Sequence, residues 1–206
     1  MRTVLVIVGL VLALAACGSE AASTADSPAP TESTDATGEA VEQAPFVSVP
    51  FDDLGTNHIE PPVSFSNSPS IGGDHYPFWQ NCGFYEVEVI EGAATHTLEH
   101  GAVWITYNED LVTGDEVSTL QTLAADNSKL LISPYPHEER LVLSAWGVQQ
   151  RTDAGPGDPV VAEFIEMWQD NPVLPEAGVT CLGAVGVAPS EPGLFEDGTE
   201  VPDEYR

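Results

Sequence analysis

The chain has 206 residues, which is enough for one domain with extensions at its ends. Acidic residues outnumber basic ones 33 to 5, and the formal net charge is −28 at pH 7. This balance argues against nucleic acid as a partner, because phosphate binding needs a basic face, and an anionic membrane surface would repel the body of the protein.

The N-terminus resembles the export signal of a bacterial lipoprotein. Arg2 precedes an apolar run, Val4 to Leu14, that is too short to be a permanent membrane span. The sequence Leu14-Ala15-Ala16-Cys17 is similar to a lipobox. The resemblance implies a signal peptide over residues 1–16 and lipid, such as palmitate, on Cys17, which would hold the protein on the extracytoplasmic face of the membrane. An ordinary secretory signal with an incidental cysteine is the alternative.

Residues 17–44 predict a disordered acidic tether. Ser, Thr, Ala, Pro and acidic residues dominate, and no Lys, Arg or aromatic residue occurs between Glu20 and Ala44. Such a segment cannot bury enough apolar surface to offset the entropy lost on ordering. A globular domain is expected over residues 45–190, followed by a loose acidic tail over residues 191–206.

The globular part opens with either an edge strand or an extended lead-in at residues 46–51, followed by a long loop over residues 52–74. Alternation predicts a strand over residues 84–90 and a turn over residues 91–94. Residues 96–100 form either one helical turn or an irregular loop, which Gly101 ends. Further strands are predicted over residues 102–107, 129–133 and 140–146. Helices are predicted to begin at Asp115, as an N-cap, and at Pro159.

This order of elements predicts an α+β fold in a single domain. We expect a four- or five-stranded antiparallel or mixed sheet with two helices on one face and a long N-terminal loop. A thioredoxin-like arrangement would fit the last five elements, but no Cys-x-x-Cys pair follows the first strand.

Three cysteines are present, at positions 17, 82 and 181. With Cys17 joined to lipid, Cys82 and Cys181 predict a disulfide in an extracytoplasmic protein. In the alternative, Cys82 is a thiolate metal ligand beside the histidines.

Four of the five histidines fall between residues 58 and 100. His96 and His100 would share a helical face one turn apart, so both could reach one metal ion, and neutral imidazole suits Zn²⁺ or Cu²⁺. His75 would supply a third ligand, and His58 or Glu99 a fourth ligand or an orienting partner. A metal-free structural network and direct acid/base catalysis are the alternatives.

The sequence His96-Thr97-Leu98-Glu99-His100 also matches H-x-x-E-H, the inverzincin protease signature, in which Glu176 could serve as a third ligand. That signature lies in a long helix of a larger protein. Here Gly92 and Gly101 bracket it and a strand follows at once, so we do not favour a protease.

Several separated motifs occur in an order that resembles domain of unknown function family 3105: Gly73-Asp74-His75-Tyr76-Pro77, Trp79, Cys82-Gly83, Tyr85, His96 to Val103, Tyr107, Ser133-Pro134-Tyr135-Pro136 and Ala145-Trp146-Gly147. The resemblance covers about residues 55 to 182. It implies a bacterial, often actinobacterial, membrane-anchored or secreted protein, and it implies no activity.

Three functions are therefore considered. The first is a lipid-anchored extracytoplasmic protein that binds zinc or copper through His58, His75, His96, Glu99 and His100. The second is a metal-free module for interactions in the cell envelope, with an exposed aromatic patch around Tyr76, Phe78 and Trp79 and a protein partner that the sequence does not identify. The third is a metal-assisted hydrolase with Glu99 as general base. No phosphate-binding loop, Gly-x-Ser-x-Gly motif or redox cysteine pair indicates another enzyme.

Overall fold

The computed structural model describes residues 46–187 and 191–206. The predicted signal peptide over residues 1–16, the tether over residues 17–44 and the lipid attachment at Cys17 lie outside these residues and stay predictions. Across the described residues, no helix has the length and apolar character needed to cross a membrane.

Eight strands and three helices make up the described part of the chain. The strands are β1 (Phe46–Ser48), β2 (Gly83–Phe84), β3 (Val103–Tyr107), β4 (Leu130–Pro134), β5 (Leu141–Ala145), β6 (Val148–Thr152), β7 (Val185–Val187) and β8 (Glu191–Phe195). The helices are α1 (Glu91–Glu99), α2 (Gly114–Asp126) and α3 (Pro159–Trp168).

Six strands form one mixed sheet in the order β1-β6-β5-β3-β4-β2, and β7 and β8 form a separate hairpin. β4 pairs parallel with β2 and β3, whereas the pairs β3–β5, β5–β6 and β1–β6 are antiparallel. The predicted α+β fold is confirmed. The sheet has six strands rather than four or five because β6 was not predicted from the sequence.

Helices cover both faces of this sheet. Along β3, Val103 packs in one core with Leu120 of α2 and Phe164 of α3, whereas Trp104 packs in a second core with Leu98 of α1. Successive side chains of a strand point to opposite faces, so α2 and α3 share one face and α1 covers the other. The two predicted helices are therefore α2 and α3, and α1 adds a third on the opposite side.

The predicted strand over residues 84–90 is wrong beyond Phe84, where β2 ends. Tyr85 is fully buried and its hydroxyl donates to the carbonyl of Asn81 at 2.8 Å. Val87, which alternation placed on an apolar face, is 53% exposed. The chain leaves the sheet here, and the turn expected over residues 91–94 is instead the first turn of α1.

Capping residues set the beginnings of the other two helices. Thr113, not the predicted Asp115, caps α2 and forms a capping box with Glu116. Asp158 caps α3, whose first residue is Pro159 as predicted.

Residues 191–206 do not form a loose tail, which corrects the prediction for them. Glu191–Phe195 is β8, paired antiparallel with β7. Val201 is 1% exposed, and the ring of Tyr205 packs against that of Tyr76 with centroids 4.8 Å apart. These apolar anchors outweigh the acidic residues around them, so the folded domain extends to the last residue.

Cys82 and Cys181 form a disulfide, with their Cα atoms 5.4 Å apart. The predicted pairing is confirmed, and Cys82 is not a thiolate ligand. The bond ties the segment before β7 to the second core, in which both sulfurs are buried.

Candidate metal centre

Helix α1 carries the centre, and the segment before β2 holds it in place. Tyr76 N donates to the carbonyl of Gly92 at 3.3 Å, and Gln80 N donates to that of Ala93 at 3.0 Å. Thr97 Oγ1 donates back to the carbonyl of Gln80 at 2.6 Å. A Cβ atom at Gly92 would lie 2.5–2.9 Å from the ring of Tyr76, so the close approach requires glycine there.

The long N-terminal loop brings His58 beside His75. Asp74 Oδ1 accepts hydrogen bonds from the backbone and side-chain nitrogens of Asn57 at 3.1 and 2.9 Å. His75 N donates to the carbonyl of Asn57 at 3.0 Å, and Ile59 N donates to that of His75 at 2.8 Å. These bonds order the loop and place two imidazoles together.

His100 is the C-cap of α1, and Gly101 follows with φ of 90°, which confirms the predicted helix end. Lys129 Nζ donates to the carbonyl of His100 at 2.7 Å and to that of Val179 at 2.6 Å. Together with the disulfide at Cys181, this lysine holds residues 179–181 against the end of α1.

Backbone carbonyls fix the tautomers of the three buried histidines. The Nδ1 atoms of His75, His96 and His100 lie 2.8, 2.7 and 2.8 Å from the carbonyl oxygens of Gly73, Tyr76 and Thr180. A carbonyl only accepts, so each Nδ1 carries the proton. In the neutral ring, Nε2 then presents a lone pair, which is the arrangement found in metal-ligating histidines.

Burial keeps two of these rings neutral. Desolvation, together with a smaller effect of the neighbouring histidines, lowers the pKa of His96 to about 3, against the opposing effect of the Tyr76 carbonyl. Desolvation also lowers the pKa of His100, although the carbonyl of Thr180 and the carboxylate of Glu176 oppose it. Both rings are thus available as neutral ligands at pH 7.

One group of ligand atoms belongs to His58, His75, His96 and Glu99, and all four atoms lie within 4.8 Å of one another. Glu99 Oε2 is 3.2 Å from His75 Nε2 and 3.9 Å from His58 Nε2. Two ligands of one tetrahedral zinc ion lie about 3.4 Å apart, given bonds of about 2.0–2.1 Å. His75 Nε2 is buried and has no hydrogen-bond partner among the described residues.

A second group consists of His96, His100 and Glu176, again within 4.8 Å of one another. Glu176 Oε2 is 3.0 Å from His100 Nε2 and 3.9 Å from His96 Nε2. The structure therefore brings four of the five predicted ligands together and places the fifth, His100, in a neighbouring group that shares His96. The sequence suggested Glu176 as a ligand only in the protease hypothesis. It is one acidic residue among many, and no local sequence pattern identifies it as a metal ligand.

Most of these ligands are hidden from solvent. The side chains of His75, His96, His100 and Glu99 are at most 3% exposed, whereas those of His58 and Glu176 are 41% and 38% exposed. Lone pairs and carboxylate oxygens face one another, and only a cation or a proton between them relieves their repulsion. The buried histidine and glutamate groups could therefore hold a metal ion.

Two tryptophans pack on the histidines. The ring centroid of Trp79 is 4.9 Å from that of His100, and the centroid of Trp146 is 5.8 Å from that of His75. The exposed aromatic patch predicted around Trp79 is not found. Tyr76 is only 7% exposed, and Phe78 packs against Tyr205 of the C-terminal segment at 5.1 Å.

The family model described as "Protein of unknown function (DUF3105)" matches residues 58–183, which include every residue of both groups. No curated protein and no solved structure matches the chain. The matched segment covers more than half of the chain, and the protein therefore belongs to the DUF3105 family.

Proposed function

We propose that this protein is a lipid-anchored, extracytoplasmic protein that binds a transition-metal ion, zinc or copper, through its histidine cluster. The observation that carries the proposal is the convergence of the buried Nε2 lone pairs of three histidines on the carboxylates of Glu99 and Glu176, with each opposite Nδ1 held by a backbone carbonyl. Such convergence leaves His75 Nε2 unsatisfied unless a cation lies beside it.

The chemistry of the ligands favours zinc or copper. Imidazole nitrogen suits both ions, and carboxylate oxygen completes many zinc sites. No thiolate competes near the centre, because Cys82 and Cys181 are joined in the disulfide. The net charge of −28 would also raise the local concentration of cations around the protein.

Elemental analysis tests this proposal on protein purified without chelators from cells grown with added zinc or copper. We expect stoichiometric metal in the wild type and a lower metal content in His96→Ala, since His96 lies in both groups of ligand atoms. The matched control is His137→Ala, because His137 is a buried histidine that hydrogen-bonds Thr106 outside the cluster. Wild-type protein that lacks metal after growth with either ion would refute the proposal.

The membrane anchor has a separate test. In the proposed protein, Cys17 carries the lipid, so Cys17→Ser should move the protein from the membrane fraction to the soluble fraction and abolish labelling with palmitate. A Cys17→Ser protein that stays with the membrane would contradict the anchor and leave the metal site unaffected.

The two other functions receive less support. The metal-free interaction module relied on an exposed aromatic patch, and the C-terminal segment covers Tyr76 and Phe78. Glu99, the general base of the metal-assisted hydrolase, is 2% exposed and lies among the ligand atoms. This position favours holding an ion over activating water for attack on a substrate.

A further inference from the structure

We propose that the centre holds two metal ions, each bound by two imidazoles and one carboxylate. One ion takes His58, His75 and Glu99, and the other takes His96, His100 and Glu176. This inference rests on the proposed function and specifies how many ions it involves and which ligands each ion has.

A single ion leaves half of the cluster unsatisfied. With an ion among His58, His75, His96 and Glu99, the Nε2 lone pair of His100 still faces the Glu176 carboxylate at 3.0 Å. His100 is 1% exposed and its Nδ1 proton is engaged by the Thr180 carbonyl. Two acceptors in such close contact need a cation or a proton between them, and the first ion does not lie there.

Assigning His96 to the second group gives two equivalent sets. Each set then contains two histidines and one glutamate, the composition of three-ligand zinc sites that leave a fourth position free. Each set also has one ligand that solvent can reach, His58 in the first and Glu176 in the second, with side chains 41% and 38% exposed. An ion can therefore enter either position without passing through the other.

Helix α1 contributes ligands to both sets, and a different part of the fold completes each set. The first is built from the hydrogen bonds between the loop at Asn57 and the strand-like segment at His75. The second depends on residues 179–181, which Lys129 and the disulfide hold against α1. Because these restraints are independent, one position can be removed while the other persists.

Titration of the full-length, chelator-treated protein with Zn²⁺, followed by elemental analysis after removal of free metal, counts the ions. We expect two equivalents in the wild type and one in Glu176→Gln, whose side chain is partly exposed and so tolerates the change. Glu166→Gln is the matched control, since Glu166 is an exposed carboxylate on α3 and should leave two equivalents. Loading with Cu²⁺ adds a second readout, because two neighbouring Cu²⁺ ions couple magnetically and broaden the electron paramagnetic resonance spectrum.

Loss of that coupling in Glu176→Gln, with one equivalent retained, is the expected result. One equivalent in the wild type overturns the two-ion inference and leaves the proposed function standing. Two equivalents that persist in Glu176→Gln, or two uncoupled Cu²⁺ ions in the wild type, also overturn it, because the second ion then lies elsewhere on the acidic surface. A wild type that binds no metal removes the proposed function as well.

Discussion

Replacing Glu99 with glutamine should stabilise the metal-free protein while it weakens metal binding. The Glu99 carboxylate lies 3.2 Å from His75 Nε2, a buried atom with no hydrogen-bond partner among the described residues. The carboxamide of glutamine has the same shape and carries an N–H group that can donate to that lone pair. The substitution therefore replaces a contact between two acceptors with a hydrogen bond, and it removes a buried negative charge.

The sign of the change in the free energy of unfolding shows whether His75 Nε2 is an unprotonated acceptor or part of an imidazolium paired with Glu99. Relieving an unsatisfied buried acceptor is worth about 1–3 kcal/mol, so we expect the free energy of unfolding to rise by that amount. If His75 were instead an imidazolium paired with Glu99 in a metal-free network, removing the carboxylate would leave a buried charge alone. The free energy of unfolding would then fall by about 3–5 kcal/mol.

Denaturant unfolding in the presence of a chelator measures this difference, and a metal titration of the same samples measures affinity. Glu91→Gln is the matched control on the same helix, because the Glu91 carboxylate accepts from Ser70 N at 2.9 Å and from the Tyr135 hydroxyl. It should lower stability by about 1–2 kcal/mol and leave metal binding unchanged. A Glu99→Gln protein that unfolds more easily than the wild type would refute the reasoning.

Three further predictions concern the fold around the centre. Replacing both Cys82 and Cys181 with serine should lower the free energy of unfolding by about 4–5 kcal/mol, because the bond closes a sequence separation of 99 residues; a loss below about 1 kcal/mol in non-reducing denaturation would contradict this. Gly92→Ala should lower the free energy of unfolding by about 1–3 kcal/mol, because the new Cβ atom would lie 2.5 Å from the ring of Tyr76. Gly114→Ala is the control, since a Cβ atom there meets no atom within 4 Å and should leave the thermal midpoint no lower than in the wild type. Burial lowers the pKa of His137 in the folded protein. Below about pH 6.5 the unfolded state therefore binds a proton that the folded state does not bind. The free energy of unfolding that His137 contributes then falls on acidification, by at most about 1.4 kcal/mol per pH unit. The stability difference between wild type and His137→Gln should therefore shrink between about pH 7.5 and about pH 5, measured with a chelator present, and a constant difference would be inconsistent with this account.

The central strands and α3 could be predicted because their patterns are strong and local. All residues of β3, β4 and β5 are buried, and each strand reads as an apolar run in the sequence. Helix α3 has a capping residue and a proline at its first position, and both signals lie within the segment itself.

The full length of helix α1, beyond the single turn considered over residues 96–100, and strand β6 could not be predicted because burial there involves polar residues. Residues 92–99 of α1 are all buried, so the helix has no wet face and no apolar period. Strand β6 contains Gln149, fully buried, whose side chain donates to the carbonyl of Pro69 and to Ser144 Oγ. Hydrophobic periodicity detects apolar faces. It does not detect buried polar side chains whose hydrogen-bond partners lie in distant segments of the chain.

The histidines and Glu99 could be predicted as ligands because four of the five histidines lie between residues 58 and 100, whereas Glu176 was missed as their partner in the metal site. His96, Glu99 and His100 lie within five residues, whereas Glu176 reaches His100 only because the disulfide and Lys129 hold the intervening chain. The position of Glu176 beside His100 therefore depends on tertiary structure and not on a local sequence pattern.

Hydrogen bonds within the fold orient the ligands of the centre. Each buried imidazole is oriented by a backbone carbonyl, at Gly73, Tyr76 or Thr180, and none of these bonds involves a metal. The fold therefore supplies the energy that holds imidazole lone pairs and carboxylate oxygens together, and the large apolar cores on both faces of the sheet offset that repulsion. A site organised in this way gains affinity because its ligands are already ordered before the ion arrives, and it should release the ion without unfolding.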